Sequence, residues 1–374
     1  MKNEKVIDLF AGCGGLSEGF EKAGFKVVGF VENWIPAIET HLLNFPNSKL
    51  IGEDIVKISE KDIKKLKVEF GEIDGIIGGP PCQGFSTMGK MDPTDPRNSM
   101  FMEFVRFVRI LKPKFFLMEN VRALLSARNH KQEKVIDIII KEFEKSGYNV
   151  SYKVLRAANY GVPQLRDRLV ILGHLDKTPL FPKETHGTGK QDYITIYEAI
   201  NNLPQLDPLI NLGAEEIITK LIPKNDYEKY LLEKSKGKLL NHQIKKQREL
   251  DIERAKHIPE GRYIRSITPG GLKNDIFPSK SLHLKESESK QQKYWRLDRN
   301  GPSVTILTDW VTMRQKIHYS QNRPFSVREL ARLLSFQDHF FFTGKIEEKY
   351  KQIGNAVPVL MAEALAKQIR SNLF

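Results

Sequence analysis

Residues 5–15 read Lys-Val-Ile-Asp-Leu-Phe-Ala-Gly-Cys-Gly-Gly. A run apolar enough for a buried strand breaks into Gly12, Gly14 and Gly15, and a helical pattern opens at once with Leu16-Ser17-Glu18-Gly19-Phe20. Strand, glycine turn and helix, in that order, form the nucleotide-binding entrance of a doubly wound α/β fold. In such a fold helices cover both faces of a mostly parallel sheet, and ligands sit beyond the carboxyl ends of the strands.

The turn does not meet the dinucleotide fingerprint. Gly12-Cys13-Gly14-Gly15-Leu16-Ser17 lacks the last glycine, and Asp8 stands inside the strand, where it would serve a pyrophosphate poorly. A cofactor with an amino-acid end and an adenosine end suits it better, and S-adenosylmethionine is such a molecule. The second strand, 26–31, ends at Glu32, about twenty residues past the turn, where a carboxylate can accept from both ribose hydroxyls. After a short third strand, 49–51, Asp54 could accept from an adenine amino group. Ordinary polar strand ends would look the same one residue at a time; two carboxylates at successive ends favour the ligand.

The next apolar run, 73–77, stops abruptly at Gly78-Gly79-Pro80-Pro81, a rigid turn that delivers Cys82 to the carboxyl edge of the sheet. A cysteine there is either a small residue buried under a turn or a nucleophile. A polar segment, 87–98, is long enough for a lid. A helix over 99–112 follows, then a strand over 115–118 closed by Glu119-Asn120-Val121. Glu119 is thereby a candidate acid on the strand beside the cysteine. A helix over 131–146 precedes strands over 148–157 and 168–174. Arg166 and Arg168, between and within these strands, are either salt-bridged surface or holders of an anion or carbonyl.

Composition limits what such a sheet can serve. With 374 residues, 40% of them hydrophobic, the chain can bury a sizeable core and form two domains. Two cysteines, Cys13 and Cys82, cannot make a disulfide framework, which points to a reducing cytoplasm. No secretory signal or membrane-length run is present, so no membrane partner is expected. A net charge of +13 favours a polyanionic partner such as nucleic acid. From about 176 to 299 the periodicity dissolves into loops with scattered lysines. Order returns with Ser326, whose spacing to Glu329 is a capping box for a helix through Leu333. A polar-glycine turn, Gly354-Asn355-Ala356-Val357-Pro358, leads into a last helix over 359–371.

Six stretches, in order, resemble the DNA (cytosine-5)-methyltransferases of bacterial and archaeal restriction–modification systems: Asp8 to Gly15, Gly79-Pro80-Pro81-Cys82-Gln83-Gly84-Phe85-Ser86, Glu119-Asn120-Val121, Gln164-Leu165-Arg166-Asp167-Arg168, Arg328-Glu329-Leu330-Ala331-Arg332-Leu333, and Gly354 to Pro358. The resemblance implies a Rossmann-like S-adenosylmethionine-dependent sheet with a reversed last strand, helices on both faces, and a smaller loop-rich target-recognition domain. It implies a catalytic part over 1–175 completed by 340–374, and a recognition part over 176–339, variable to about 299 with a hinge side from 300. The C-terminal segment is expected to return beside the first strand.

Carried over residue by residue, Cys82 would add to C6 of cytosine, Glu119 would protonate or polarise N3, Arg168 would hold O2, and Arg166 would order Glu119 or the thiolate. Phe10, Gly12, Gly14, Leu16, Glu32, Asp54, Ile55, Pro80, Met100, Asn355 and Val357 would surround the cofactor. Asn33 intervenes before Trp34, where some members have tryptophan directly after the glutamate, so either side chain could cover the adenine. Gln83 and Ser86 would fill the space left by a flipped base or steady the backbone. No metal is expected, and S-adenosylhomocysteine would be the product. The implied partners are double-stranded DNA and, functionally, a cognate restriction endonuclease; the implied state is a cytoplasmic monomer. The rival readings are a tRNA cytosine-5 methyltransferase, a catalytically silent nucleic-acid-binding relative and a nicotinamide oxidoreductase, against which the broken glycine fingerprint counts.

Overall fold

The computed structural model describes residues 4–81, 100–129, 131–210, 216–219, 221–264 and 293–373. They divide into two compact units: one holds the residues up to Tyr160, Arg166–Lys190 and Ala356 onward, the other Gly161–Leu165 and Gln191–Asn355.

The first unit is built on a seven-stranded sheet. Its strands are β1 (Lys5–Leu9), β2 (Lys26–Val31), β3 (Lys49–Gly52), β4 (Gly75–Gly78), β5 (Phe115–Val121), β6 (Asn149–Arg156) and β8 (Asp167–His174), in the order β3-β2-β1-β4-β5-β8-β6. The first five in that order run parallel, and β8 lies antiparallel to both β5 and β6. The reversed strand is thus β8, inside the sheet rather than at its edge. The order reverses at β1, whose neighbours are β2 and β4, and that crevice is where open α/β sheets take ligands.

Alternate residues of each strand serve opposite faces. Phe116 and Met118 of β5 join Ile7 and Leu9 of β1 in a core with α3 (Glu60–Phe70), α4 (Met100–Leu111) and α5 (Val135–Lys145). Phe115 points the other way, 6.3 Å from Phe20 of α1 (Gly15–Lys22) and 5.6 Å from Phe25. Each fully buried ring contributes roughly 1.5–3 kcal/mol. Helix α2 (Ile35–Asn44) carries Pro36 in its first turn, where its fixed φ suits the helix start.

Two element boundaries differ from the sequence reading, one through strand pairing and one through a local side-chain turn. Strand β5 continues through Val121, because β8 pairs with it at Glu119, Asn120 and Val121. Helix α5 starts at Val135, because the Asn129 side chain accepts from the amides of Lys131 and Glu133 and holds that stretch as a turn.

In the second unit the elements are short. They include β7 (Gln164–Leu165), α6 (Ile196–Ile200), β9 (Glu216–Ile218), α7 (Asp226–Leu232), β10 (Lys238–Leu240), α8 (Glu249–Lys256), β11 (Trp295–Arg296), β12 (Ser303–Val304), β13 (Lys316–Ile317), α9 (Val327–Leu333) and α10 (Ile346–Asn355). The capping box is present: Ser326 Oγ accepts from the Glu329 amide at 3.0 Å, and Glu329 accepts from the Ser326 amide at 2.7 Å. Helix α9 carries fully buried arginines. Arg328 donates to the carbonyls of Leu240, Gln337 and Phe340, and Arg332 pairs with Asp338 at 2.6 Å and caps the Ala199 carbonyl of α6. These cations replace apolar contacts by satisfying backbone oxygens that short elements leave unpaired.

The last helix, α11 (Val359–Leu373), belongs to the first unit and packs against α1. The returning segment therefore docks on the first helix: Ala362 abuts Gly19, and the Val357 carbonyl occupies the place a Cβ on Gly15 would take. Among the described residues no helix is long and apolar enough to cross a membrane.

Candidate active site

Strand β4 ends at Gly78, and Gly79, Pro80 and Pro81 form the turn beyond it. Proline fixes φ there, and the buried Asn120 of β5 fixes the next degree of freedom by donating from Nδ2 to the Pro80 carbonyl at 3.1 Å. The Asn120 Oδ1 accepts from the Val121 amide at 2.8 Å, so the carboxamide is oriented from both ends. Cys82, Gln83, Ser86 and the expected lid lie outside the described residues.

Glu119 and Arg168 meet on this edge. The antiparallel register sets Arg168 opposite Val121, and Glu119 is two residues along on the same face. Arg168 Nε stands 2.7 Å from Glu119 Oε1, and each side chain is only 13% exposed. The other carboxylate oxygen, Oε2, lies 3.0 Å from where a Cβ on Gly79 would be. A side chain at position 79 would press on the carboxylate, which would have to give by a few tenths of an ångström.

Arg166, the residue just ahead of β8, is buried within electrostatic reach of Arg168 and Glu119. Burial pulls its guanidinium well below the usual arginine range; Arg168 pushes the same way and Glu119 opposes it. Asp167, between them, turns outward to Arg156 at 2.8 Å and Arg122 at 3.4 Å. The structure thus brings Glu119, Arg166 and Arg168 together at the Gly79–Pro80 turn.

A second group forms around the glycine turn. Phe10 at φ 58 and Gly12 at φ 57 bend the backbone away from β1. Glu32 accepts from the Gly12 amide at 2.8 Å with one oxygen, and from the Asn33 and Trp34 amides at 2.9 and 2.8 Å with the other. Asn33 is exposed and Trp34 half-buried at the start of α2. Space beside Gly12 is open, whereas Gly14 is backed by His41 and Phe45. Leu16 and Ile55 are core residues, and the half-buried Met100 opens α4 against the same core. Asp54 caps the short turn Ile55–Lys57, accepting from the Val56 amide at 3.1 Å, with Lys57 at 3.5 Å from its second oxygen. Asn355, exposed, is the last residue of α10 in the second unit.

Beneath the glycine turn lies a polar chain the sequence reading did not find. Ser17 Oγ donates to Asp8 Oδ2 at 2.6 Å, and His41 Nε2 is 3.1 Å from the same hydroxyl. Burial raises Asp8 to about 7, and the field of Glu32 adds to it against the Ser17 bond. Burial lowers His41 to about 3; its ring stacks on Phe30 at 3.8 Å. Cys13 is part of this buried floor, its thiol pushed up to about 12 by burial, which leaves it protonated and inert. Asn120 was visible only as part of a motif, and its contact to Pro80 spans forty residues.

The profile of the family described as C-5 cytosine-specific DNA methylase matches residues 4–371. The type II methyltransferase M.DdeI of Desulfomicrobium norvegicum is 36% identical, over 97% of this chain and 88% of that protein. The type II methyltransferase M1.HphI of Haemophilus parahaemolyticus is 37% identical, over 97% and 86%. Among solved structures, a DNA modification methyltransferase encoded within a prophage (E. coli) superposes with a TM-score of 0.78 at 28% identity, covering 99% of each chain. With a parallel sheet reversed at β8, a carboxylate–arginine pair on its edge and a match along almost its whole length, the chain belongs to the C-5 cytosine-specific DNA methylase family.

Proposed function

We propose that this DNA cytosine-5 methyltransferase draws its methyl group from S-adenosylmethionine, acts on a cytosine flipped out of a specific double-stranded sequence, and shields host DNA in a restriction–modification system beside a cognate endonuclease. The type II relatives support the biological setting. It works as a cytoplasmic monomer, with the region 176–339 reading the target and the remainder supplying the chemistry.

The glycine turn suits the cofactor. Open space beside Gly12 admits a ligand against bare backbone, and Glu32, already oriented by three amides, has a lone pair left for a ribose hydroxyl. Phe10, Gly14, Leu16, Ile55, Pro80, Met100 and Val357 supply the apolar and backbone surroundings; Asn33 or Trp34 covers the adenine, and Asp54 faces its amino group. Bound there, S-adenosylmethionine supplies the electrophilic methyl that C5 takes up, leaving S-adenosylhomocysteine.

The chain's own residues make C5 able to take it. The Cys82 thiolate adds to C6, forming the S–C6 bond and moving the C5–C6 electron pair toward C5 and the N3–O2 edge. Glu119 meets that charge at N3 and Arg168 meets it at O2, in a site where both side chains are largely shielded from water. Arg166 orders the pair from beneath. Ordered water removes the C5 proton, the double bond re-forms and Cys82 leaves. Inside a duplex the thiolate could not reach C6, so the base must be flipped, at a cost of a few kcal/mol. Gln83 and Ser86 steady the opened duplex.

The Glu119–Arg168 contact at 2.7 Å, facing the Gly79–Pro80 turn, is the observation that carries this reading. Its test is incubation of the purified protein with plasmid DNA and S-adenosylmethionine, followed by bisulfite sequencing. 5-Methylcytosine within one short recurring motif is expected. Methylation of tRNA with none on DNA would overturn the assignment of substrate.

A further inference from the structure

The second unit holds a cavity of about 380 Å³ rich in basic residues: Arg248, Arg254, Lys293 and Arg314 line it, with Leu250, Tyr294 and Gln315. Its frame is regular structure. Arg248 and Arg254 come from the start and the last turn of α8, while Tyr294 and Gln315 lie just ahead of the parallel pair β11 and β13. The Tyr294 amide donates to the Arg314 carbonyl at 2.8 Å, tying the two walls together. Behind them Ala255, Ile258, Tyr294, Met313 and Ile317 form an apolar core.

One carboxylate organises the cations. Asp251 accepts from the Tyr294 hydroxyl at 2.7 Å, from Arg248 Nε at 2.8 Å and from Arg254 at 3.3 Å. Arg314 stands 3.7 Å away, within ionic range but beyond hydrogen-bond reach. Burial works against the Asp251 charge, but Tyr294 and the arginines outweigh it and hold the carboxyl below its usual range.

Among the described residues the cations of this cluster outnumber its carboxylates. The guanidiniums of Arg248 and Arg314 and the Lys293 ammonium share the cavity region with one carboxylate, Asp251, and each guanidinium carries five N–H donors in a fixed fork. Arg248 and Arg314 keep 59% and 52% of their side chains exposed. The surplus donors converge on a concave surface, which is the geometry that takes a tetrahedral oxyanion in two-pronged fashion.

We infer that this cavity is a phosphate seat that grips the DNA backbone, with Arg248, Arg314 and Lys293 as its gripping groups and Asp251 as the residue that aims the two arginines. The inference rests on the reading of DNA as substrate and adds the place where the second unit anchors it irrespective of sequence. A free phosphate offers the same oxygens, so the test separates the two sources.

The full-length protein, its R248A/R314A variant and its K293A variant are titrated with a short duplex of arbitrary sequence over a range of salt. A seat that neutralises backbone phosphates predicts weaker binding to every duplex alike. The slope of log K against log[salt] should become shallower by roughly two for the double variant and by about one for K293A. R248K/R314K, which keeps the charge and loses the forks, should retain the parent slope at reduced affinity. Melting temperature and S-adenosylmethionine binding report whether each variant is folded; if the double variant is not, K293A and the lysine variant decide.

Parent affinity and slope in the folded variants overturn the inference. So does inorganic phosphate that binds the parent and not R248A/R314A while duplex binding stays unchanged, since the seat then serves free phosphate. A parent that neither binds nor methylates DNA would instead sink the underlying reading, so the two failures are distinct.

Discussion

Asn120 holds the Pro80 carbonyl at 3.1 Å, so strand β5, which carries Glu119, also fixes the turn beyond β4. Glu119 and that turn are thereby referenced to a single β5–β4 pairing.

Removing that tie should misplace the thiol without unfolding the sheet. Asn120→Ala is expected to lower the single-turnover methylation rate by about 10²-fold, the scale of a misplacement near 1 Å. S-adenosylmethionine affinity should stay within a few-fold of the parent. A rate equal to the parent's would show that the turn holds its shape unaided.

Cys82→Ser should abolish methyl transfer while DNA and cofactor binding persist, since the thiol is required for covalent addition. DNA carrying 5-fluorocytosine at the target should trap the parent, because fluorine cannot leave as a proton does. The readout is a Cys82-dependent band shift on a denaturing gel; its absence with a correct target would rule out the covalent route.

Glu119→Gln keeps the shape of the side chain and removes its acid function. General acid–base groups are worth about 10²–10⁴ in rate, so kcat should fall by that order. Arg168→Ala should lose the O2 contact and the restraint on Glu119 together, and combining the two changes should cost much less than the product of the single effects. Full additivity in the double variant would show that the pair does not act as a unit.

Buried ionisable groups set the acid response. His41, His242 and His318 sit at about 3, 4 and 3 in the fold, each lowered chiefly by burial, so below pH 6.5 the unfolded chain takes up protons that the native chain refuses. Stability from these three is present above pH 6.5 and drains away as pH falls. Asp8, raised to about 7 by burial, has the opposite sign: the native chain keeps its proton from pH 3.8 to 7 while the unfolded chain releases it, so its contribution weakens as pH rises. For these four groups the balance between pH 6 and 4 is two protons favouring the unfolded chain, a contribution of about 2.7 kcal/mol per pH unit. His41→Phe, set among Phe30 and Phe45, should remove one proton's share, about 1.4 kcal/mol per pH unit, from the dependence. Urea midpoints at several pH values check it; an unchanged dependence would remove His41 from the account.

Much of the first unit was readable because its signals are local. The run 26–31 became β2 residue for residue, and Ser326 with Glu329 announced the start of α9. Glu119 was placed beyond its strand because the residues that lengthen β5 come from β8, fifty positions on. The Asp8–Ser17–His41 chain escaped because a histidine on a helix shows only that it faces inward, not which hydroxyl it meets. In the second unit α6, α7 and α8 span five to eight residues, too few turns for a 3.6-residue period to show. Their stability comes from long-range caps such as Arg332 on Ala199, which no window of sequence contains.

Helix α11 covers α1, and its Arg370 reaches the Ala23 carbonyl at 2.8 Å. The glycine turn is therefore enclosed by partners far apart in the chain, Arg370 and Ala23 lying 347 positions from one another. A variant truncated before residue 357 would lack both the carbonyl seated at Gly15 and the whole of α11. Such a cut should leave the glycine turn open on one side, so that damage to the last helix is felt at the first turn rather than where the chain was severed.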